Sequence, residues 1–374
     1  MNKNPIRIIP ILDIKNGLLI KGINLEGLRV LGKARDFSNH YYKNGADEIC
    51  YIDNVATLYG TNNLSKFITE TAKDIFIPLF LAELTPLLNC LYIYSFNNGT
   101  AEGSGSQKKL LGGKGANLAE MTNLKIPVPP GFTISTEACV YYMKHNKYPT
   151  GFKKQVINAL KAIELKMNRN FGDSDNPLLL SVRSGARQSM PGMMETVLNI
   201  GLNHDTAKGL INKTKNPKFV YDSFRRLLMM YSDVVMEKAK NIHDESITGI
   251  RTTLDILLEN IKNKYNYTND SDLTDVQLID LCNIYQKTIQ KKFQVAFPND
   301  PYEQLWGSIT AVFQSWNGKR AIDYRNIENI PHDWGTAVNI QCMVFGNMGN
   351  TSATGVAFTR NPSTGEKIFF GEWL

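Results

Sequence analysis

Three stretches of this 374-residue chain carry residue types suited to phosphate chemistry. The first is Leu111-Gly112-Gly113-Lys114-Gly115-Ala116-Asn117, set ahead of a helical pattern with apolar positions at Leu118, Met121 and Leu124. Glycines before a helix let backbone N–H groups approach an anion, and the helix N-terminus adds a favourable dipole. Lys114 can neutralise phosphate charge. The spacing is not that of a Walker A loop, and no Ser or Thr follows the lysine. Taken alone, the run reads as readily as a glycine turn with a solvated lysine.

The second stretch runs from Arg183 to Thr196, after a buried strand pattern at Pro177–Val182. Arg183, Arg187, Ser181, Ser184, Ser189, Gly185 and Gly192 offer many donors and little bulk. The planar fork of arginine suits phosphate oxygens. A surface loop with charge-balanced arginines is the plainer alternative. Met190, Met193 and Met194 read as packing residues. The third stretch, Gly355–Lys367, is a strand, a Pro/Gly turn and the start of another strand. A carboxylate just after such a turn, here Glu366, can bind Mg²⁺ beside phosphates. The turn by itself reads as structural.

Several elements must position these loops. Leu91–Phe96 reads as a strand, followed by a polar loop from Asn97 to Gln107 that contains Gly103-Ser104-Gly105-Ser106. Residues 152–170, 205–240 and 250–295 have helical periodicity and many polar Lys and Asn positions, as in a helical insertion. Glu303–Tyr324 is a further helical region with Trp306 and Trp316 in its core. His40, His145, His204, His243 and His332 read as surface or capping residues.

The first eighty residues follow another pattern. Arg7–Asp13 and Glu48–Asp53 are short apolar runs that each close on a carboxylate, as buried parallel strands would. Gly17–Gly22 reads as a hairpin-like loop, Phe37–Asn44 as a helix capped at Gly45, and Asn63–Lys73 as a second helix. Phe76–Leu79 reads as a third strand. Strand–helix alternation implies βαβ units and a parallel sheet.

Composition sets outer limits. A hydrophobic content of 43% and a charged content of 21% fit globular domains, and the length allows two or three of them. The net charge of +7 is spread without a dense basic block, which argues against nucleic-acid binding. The five cysteines, Cys50, Cys90, Cys139, Cys282 and Cys342, form no C-x-x-C pair, so neither a disulfide framework nor a zinc site is indicated, and a reducing cytoplasm fits. The apolar tract Ile75–Phe96 contains Pro78, Glu83, Pro86 and Asn89, which argues against a membrane span. Met1–Pro5 leads into a strand pattern and not a signal peptide.

On Ile8–Asp13, Gly17–Gly22, Gly45–Glu48 and Phe76–Leu79, residues 5–79 resemble the cyclase subunit of imidazole glycerol phosphate synthase. Val55–Gly60 is similar to a paralogue linked to surface-polysaccharide synthesis. The resemblance implies that Asp13 matches a catalytic acid/base and Lys21 an active-site-loop lysine. It lapses after Leu79, where Phe80–Leu84 stands in place of a glycine-rich phosphate loop and the second catalytic Asp has no counterpart. Three of eight strands cannot close a barrel, so cyclase activity is not expected.

Residues 92–374 resemble the nucleotide-binding region of pyruvate, phosphate dikinase, through Leu110–Thr122, Pro127–Cys139, Ser181–Thr196, Tyr221–Arg226, Glu303–Gly307, Ala337–Gly349 and Thr354–Lys367. The resemblance implies an ATP-grasp fold in which Lys114 and Arg183 contact the ATP phosphates. Gly185 and Gly192 then belong to a mobile phosphate loop, Glu366 serves the Mg²⁺–nucleotide site, and Arg187 is a further contact by spacing. The family interconverts ATP, phosphate and pyruvate with AMP, pyrophosphate and phosphoenolpyruvate through a carrier histidine. None of the five histidines lies in a T-S-H-A-like context, and the pattern ends at Leu374. The expected fold is therefore α/β and α+β: a partial (βα) barrel fragment at 1–79, a junction at 80–91, and an incomplete ATP-grasp domain with a helical insertion at 92–374. The expected chain lacks the histidine carrier and pyruvate domains. Two alternatives stay open, a non-functional fusion of two gene fragments and a barrel fragment acting as an interaction module. The oligomeric state is not set by the sequence.

Overall fold

The computed structural model describes residues 8–15, 18–23, 27–53, 69, 71–77, 79–83, 91–97, 99–240 and 248–373. The chain divides into two compact units, Met1–Leu91 and Tyr92–Leu374.

In the first unit, β1 (Ile11–Lys15), β2 (Leu18–Ile23) and β3 (Gly27–Lys33) precede α1 (Ala34–Lys43), β4 (Ile49–Asp53) and β5 (Leu79–Glu83). The sheet order is β3-β2-β1-β4-β5. β1, β4 and β5 are parallel, with Leu12 opposite Tyr51 and Ile49 opposite Leu79. β2 folds back antiparallel on β1, and β3 pairs antiparallel with β2. The expected loop at Gly17–Gly22 is thus mostly strand, because Leu18 and Leu19 pair with both β1 and β3 and Ile20 to Gly22 continue the pairing with β3. Leu12, Ile14, Leu19, Ala34, Ile49, Tyr51 and Ile75 form the core of this unit. The third parallel strand lies at Leu79–Glu83 and not at Phe76–Leu79. Leu79-Phe80-Leu81-Ala82 supplies the continuous apolar run that a parallel strand needs, whereas Phe76 is 83% exposed. The tract Val55–Gly60, together with Arg7, Gly17 and Pro78, lies outside the described residues, as does most of the helix expected at Asn63–Lys73.

The second unit opens with β6 (Ile93–Asn97), β7 (Thr100–Ala101), α2 (Lys108–Asn123) and β8 (Gly131–Ile134). It continues through α3 (Thr136–His145), α4 (Phe152–Met167), β9 (Asn170–Phe171) and β10 (Pro177–Leu178) to β11 (Leu180–Gly185) and β12 (Thr196–Ile200). The helical segment then comprises α5 (His204–Thr214), α6 (Pro217–Tyr231), α7 (Ile250–Tyr265), α8 (Asp275–Phe293), α9 (Pro301–Ser315) and α10 (Lys319–Ile327). Local chemistry starts these helices where expected. Asn203 and Thr274 make capping boxes, and Pro217 and Pro301 follow the capping side chains of Asn216 and Asp300. α6 runs directly into a π-helical turn, Ser232–Glu237, whose residues are all buried.

β13 (Ala337–Cys342) returns to the main sheet, whose order is β12-β11-β13-β8-β6-β7. One face is apolar: Phe132, Val182 and Ile340 lie opposite one another and are fully buried, in a core shared with Leu305, Ile309 and Phe313 of α9. The other face carries the row Arg183, Asn339 and Thr133 on β11, β13 and β8. α2 packs across these strands. A final antiparallel hairpin, β14 (Gly355–Phe358) and β15 (Phe370–Trp373), is exposed along both strands.

Candidate functional site

α2 is two helical pieces joined at Gly112, whose φ of 67° and ψ of 174° break the helix. The break starts a fresh helical turn at Gly113 and Lys114, with its N-terminus turned to the arginine loop: Gly113 N–H donates to the Ala186 carbonyl at 2.9 Å. Only glycine fits at 112, because a Cβ there would lie 1.7 Å from the Gly185 carbonyl oxygen.

Lys114 and Arg183 are brought together on this face. The Lys114 side chain is exposed, yet its ammonium is held below the ordinary lysine pKa, first by partial desolvation and then by the Arg183 charge. Burial also pushes Arg183 down, though a guanidinium stays cationic. One Arg183 terminal nitrogen donates to Gln341 Oε1, and Gln341 Nε2 donates to the Pro129 carbonyl at 2.9 Å. Next to Arg183, Thr133 Oγ1 donates to Asn339 Oδ1 at 2.9 Å. Arg183 Nε, Arg187 Nε and Asn339 Nδ2 are buried donors without a hydrogen-bond partner.

Arg187 stacks over Trp334, its guanidinium carbon 5.1 Å from the ring centroid. Burial lowers its pKa, opposed by the charges of Asp333 and Glu137. Met190, Met193 and Met194 pack the loop onto Trp316, Trp334 and Tyr324. Beneath them, buried Arg325 stacks 4.2 Å from Trp316 and donates to His332 Nδ1 from Nε at 3.2 Å. His332 is therefore an acceptor at Nδ1, and the network assigns its proton to Nε2, which donates to Asn326 Oδ1 at 3.0 Å. Gly192 turns the loop with a φ of 72° in open space.

Glu366 is not brought into this cluster. Its backbone bonds run to Asn361, Thr364 and Ile368 within its own exposed segment. Among the described residues no group of three or more His, Cys, Asp or Glu side chains gathers to hold a metal. Asp13 is exposed on β1, and Lys21 lies on β2, its side chain outside what is described. Asn339, Gln341 and Trp334 escape a reading by motif. The available signal was the alternation of Asn339 and Gln341 with apolar neighbours in β13, which marks a strand with one polar face.

A glycine-broken helix set against an arginine loop, on the polar face of an antiparallel sheet, defines an α+β domain that concentrates cationic donors at a helix N-terminus. Residues 108–150 and 148–372 match the family model described as the pyruvate phosphate dikinase AMP/ATP-binding domain. The chain belongs to that family. Residues 7–82 match a second model, described as a histidine biosynthesis protein. The chain is 49% identical over 284 residues to pyruvate, phosphate dikinase of Rhizobium meliloti, covering 76% of this chain and 30% of that protein. It is 49% identical over 285 residues to the Clostridium symbiosum enzyme of the same name, covering 76% and 31%. With pyruvate, phosphate dikinase 1, chloroplastic, of Zea mays the identity is 48% over 283 residues, covering 75% and 29%. The chain thus spans about three tenths of the length of the relatives it matches. Among the described residues no helix is long and apolar enough to cross a membrane.

Proposed function

We propose that residues 92–374 bind Mg²⁺–ATP through its phosphates, as the ATP-grasp nucleotide-binding part of a pyruvate, phosphate dikinase. The observation that carries this reading is a surplus of donors. Arg183 Nε, Arg187 Nε and Asn339 Nδ2 are buried without acceptors, near a partly desolvated Lys114 ammonium. Each such donor costs about 1–3 kcal/mol while it goes unmet, and an anion meets several at once. Gly192 gives the loop its freedom to close on the phosphates, whereas Gly185, expected in the mobile loop, is the paired end of β11 and fixes the loop's start against Gly112. Glu366 is the proposed metal carboxylate. Its exposed carboxylate is an oxygen donor of the kind Mg²⁺ takes beside phosphates and water, so the residue type fits. When bound, Mg²⁺ would neutralise phosphate charge.

In this reading the parent reaction converts ATP, phosphate and pyruvate to AMP, pyrophosphate and phosphoenolpyruvate in a reducing cytosol, where free Cys139, Cys282 and Cys342 persist. Asp13 and Lys21 have no part in it. Calorimetric titration of the full chain with Mg²⁺–ATP tests the reading. Saturable heat that disappears in Arg183→Ala supports it. A folded chain with no ATP-dependent heat or thermal shift sinks it.

A further inference from the structure

The arginine loop ends at Glu195, and there it is tied to the helical segment. Glu195 Oε1 meets Lys238 Nζ at 3.1 Å, and the same ammonium holds Asp233 Oδ2 at 2.9 Å. Arg251 adds a second cation 3.7 Å from that Asp233 oxygen. Burial alone would lower the Lys238 pKa, but Asp233 and Glu195 outweigh it and raise it. Glu195 also accepts, through its carbonyl, the N–H of Ser184 at 3.3 Å, next to Arg183. Whatever fixes Glu195 therefore fixes the backbone beside the candidate phosphate contacts.

The π-turn explains how one lysine reaches both carboxylates. Asp233 and Lys238 are five residues apart, and in an α-helix such positions lie about 140° apart around the axis. The wider i→i+5 pattern brings them together, and the Lys238 N–H donates to the Asp233 carbonyl. Asp233, 6% exposed, then holds the ammonium against Glu195. No phosphate-handling motif includes Lys238.

We propose that Lys238 is a positioning residue for the arginine loop, holding it through Glu195 in the shape that receives phosphate. This rests on the phosphate-binding reading above. The test uses the full chain with Lys238→Met, Glu195→Gln and Lys238→Arg, and two readouts: tryptic cleavage after Arg187 without ligand, and the Kd for Mg²⁺–ATP. The first two variants are expected to speed cleavage after Arg187 about fivefold and weaken binding about tenfold, while Lys238→Arg stays near wild type. Cleavage after Arg187 at the wild-type rate in both Lys238→Met and Glu195→Gln overturns the proposal, as does faster cleavage with unchanged affinity. Cleavage rising equally at many sites signals general unfolding and overturns a loop-specific role. If the wild type itself binds no Mg²⁺–ATP, the phosphate-binding reading fails. The cleavage rates still decide separately whether Lys238 holds the loop.

Discussion

Gly112 and Gly185 touch backbone to backbone, with the Gly185 carbonyl oxygen where a side chain at 112 would begin. The glycine loop and the arginine loop therefore share one packed junction. Gly112→Ala would add a methyl group into that carbonyl at a left-handed φ. It is expected to destabilise the second unit by about 3 kcal/mol, through overpacking and backbone strain. A denaturant melt of the variant checks this, and an unchanged midpoint would show that the junction yields easily.

Lys114 makes binding pH-dependent. In the free chain its pKa is lowered by desolvation and by Arg183, whereas a bound phosphate would raise it. Between the free and bound values, binding must take up a proton. Affinity should therefore begin to fall as pH rises past the free-chain value. Calorimetry in buffers of different ionisation enthalpy reads this uptake directly, and Lys114→Met should abolish it. The lowered pKa also penalises folding at pH values below it, so Lys114→Met should melt slightly higher without ligand.

Burial pushes the thiols of Cys139, Cys282 and Cys342 up to about 12. At pH 8 they are protonated and out of reach, so an aromatic disulfide reagent should modify them only as fast as the fold opens. Peptide mapping after brief labelling would identify any of the three that reacts sooner, which would contradict the packing around it.

Among the described residues the main apolar core is built from residues between Ile93 and Cys342, with Tyr92, Met343 and Phe345 packed against it. Residues 92–374 expressed alone should therefore show a single cooperative thermal transition. A broad, non-cooperative melt would mean that this core does not suffice.

Residue type and spacing single out Lys114, Arg183 and Arg187, because glycine breaks and clustered arginines are local signals. The polar groups on the sheet face around them are not local. Gln341 lies 158 residues from Arg183, and Asn339 lies 206 residues from Thr133. Those contacts follow from strand order, with β13 inserted between β11 and β8. A single chain read by periodicity contains no strand order. The shift of β5 to Leu79–Glu83 has a different cause: an apolar run fixes that a strand exists but not where pairing starts. The bond between Glu195 and Lys238 was the least legible feature, since helical periodicity of 3.6 would separate Lys238 from Asp233.

The π-turn therefore works as a phase setting, and what it requires is a residue count. Val234, Val235 and Met236 are buried and apolar, and other apolar residues of similar size could replace them with little effect on the direction of Lys238. Held at α-helical pitch, the present five-residue spacing would put Lys238 about 140° from Asp233, whereas deleting one residue between them leaves a four-residue spacing that an α-helical turn brings together. Turn type and residue count are therefore coupled in this stretch: a one-residue deletion between Asp233 and Lys238 should keep the pair on one face as an α-helical turn, whereas a one-residue insertion should part them.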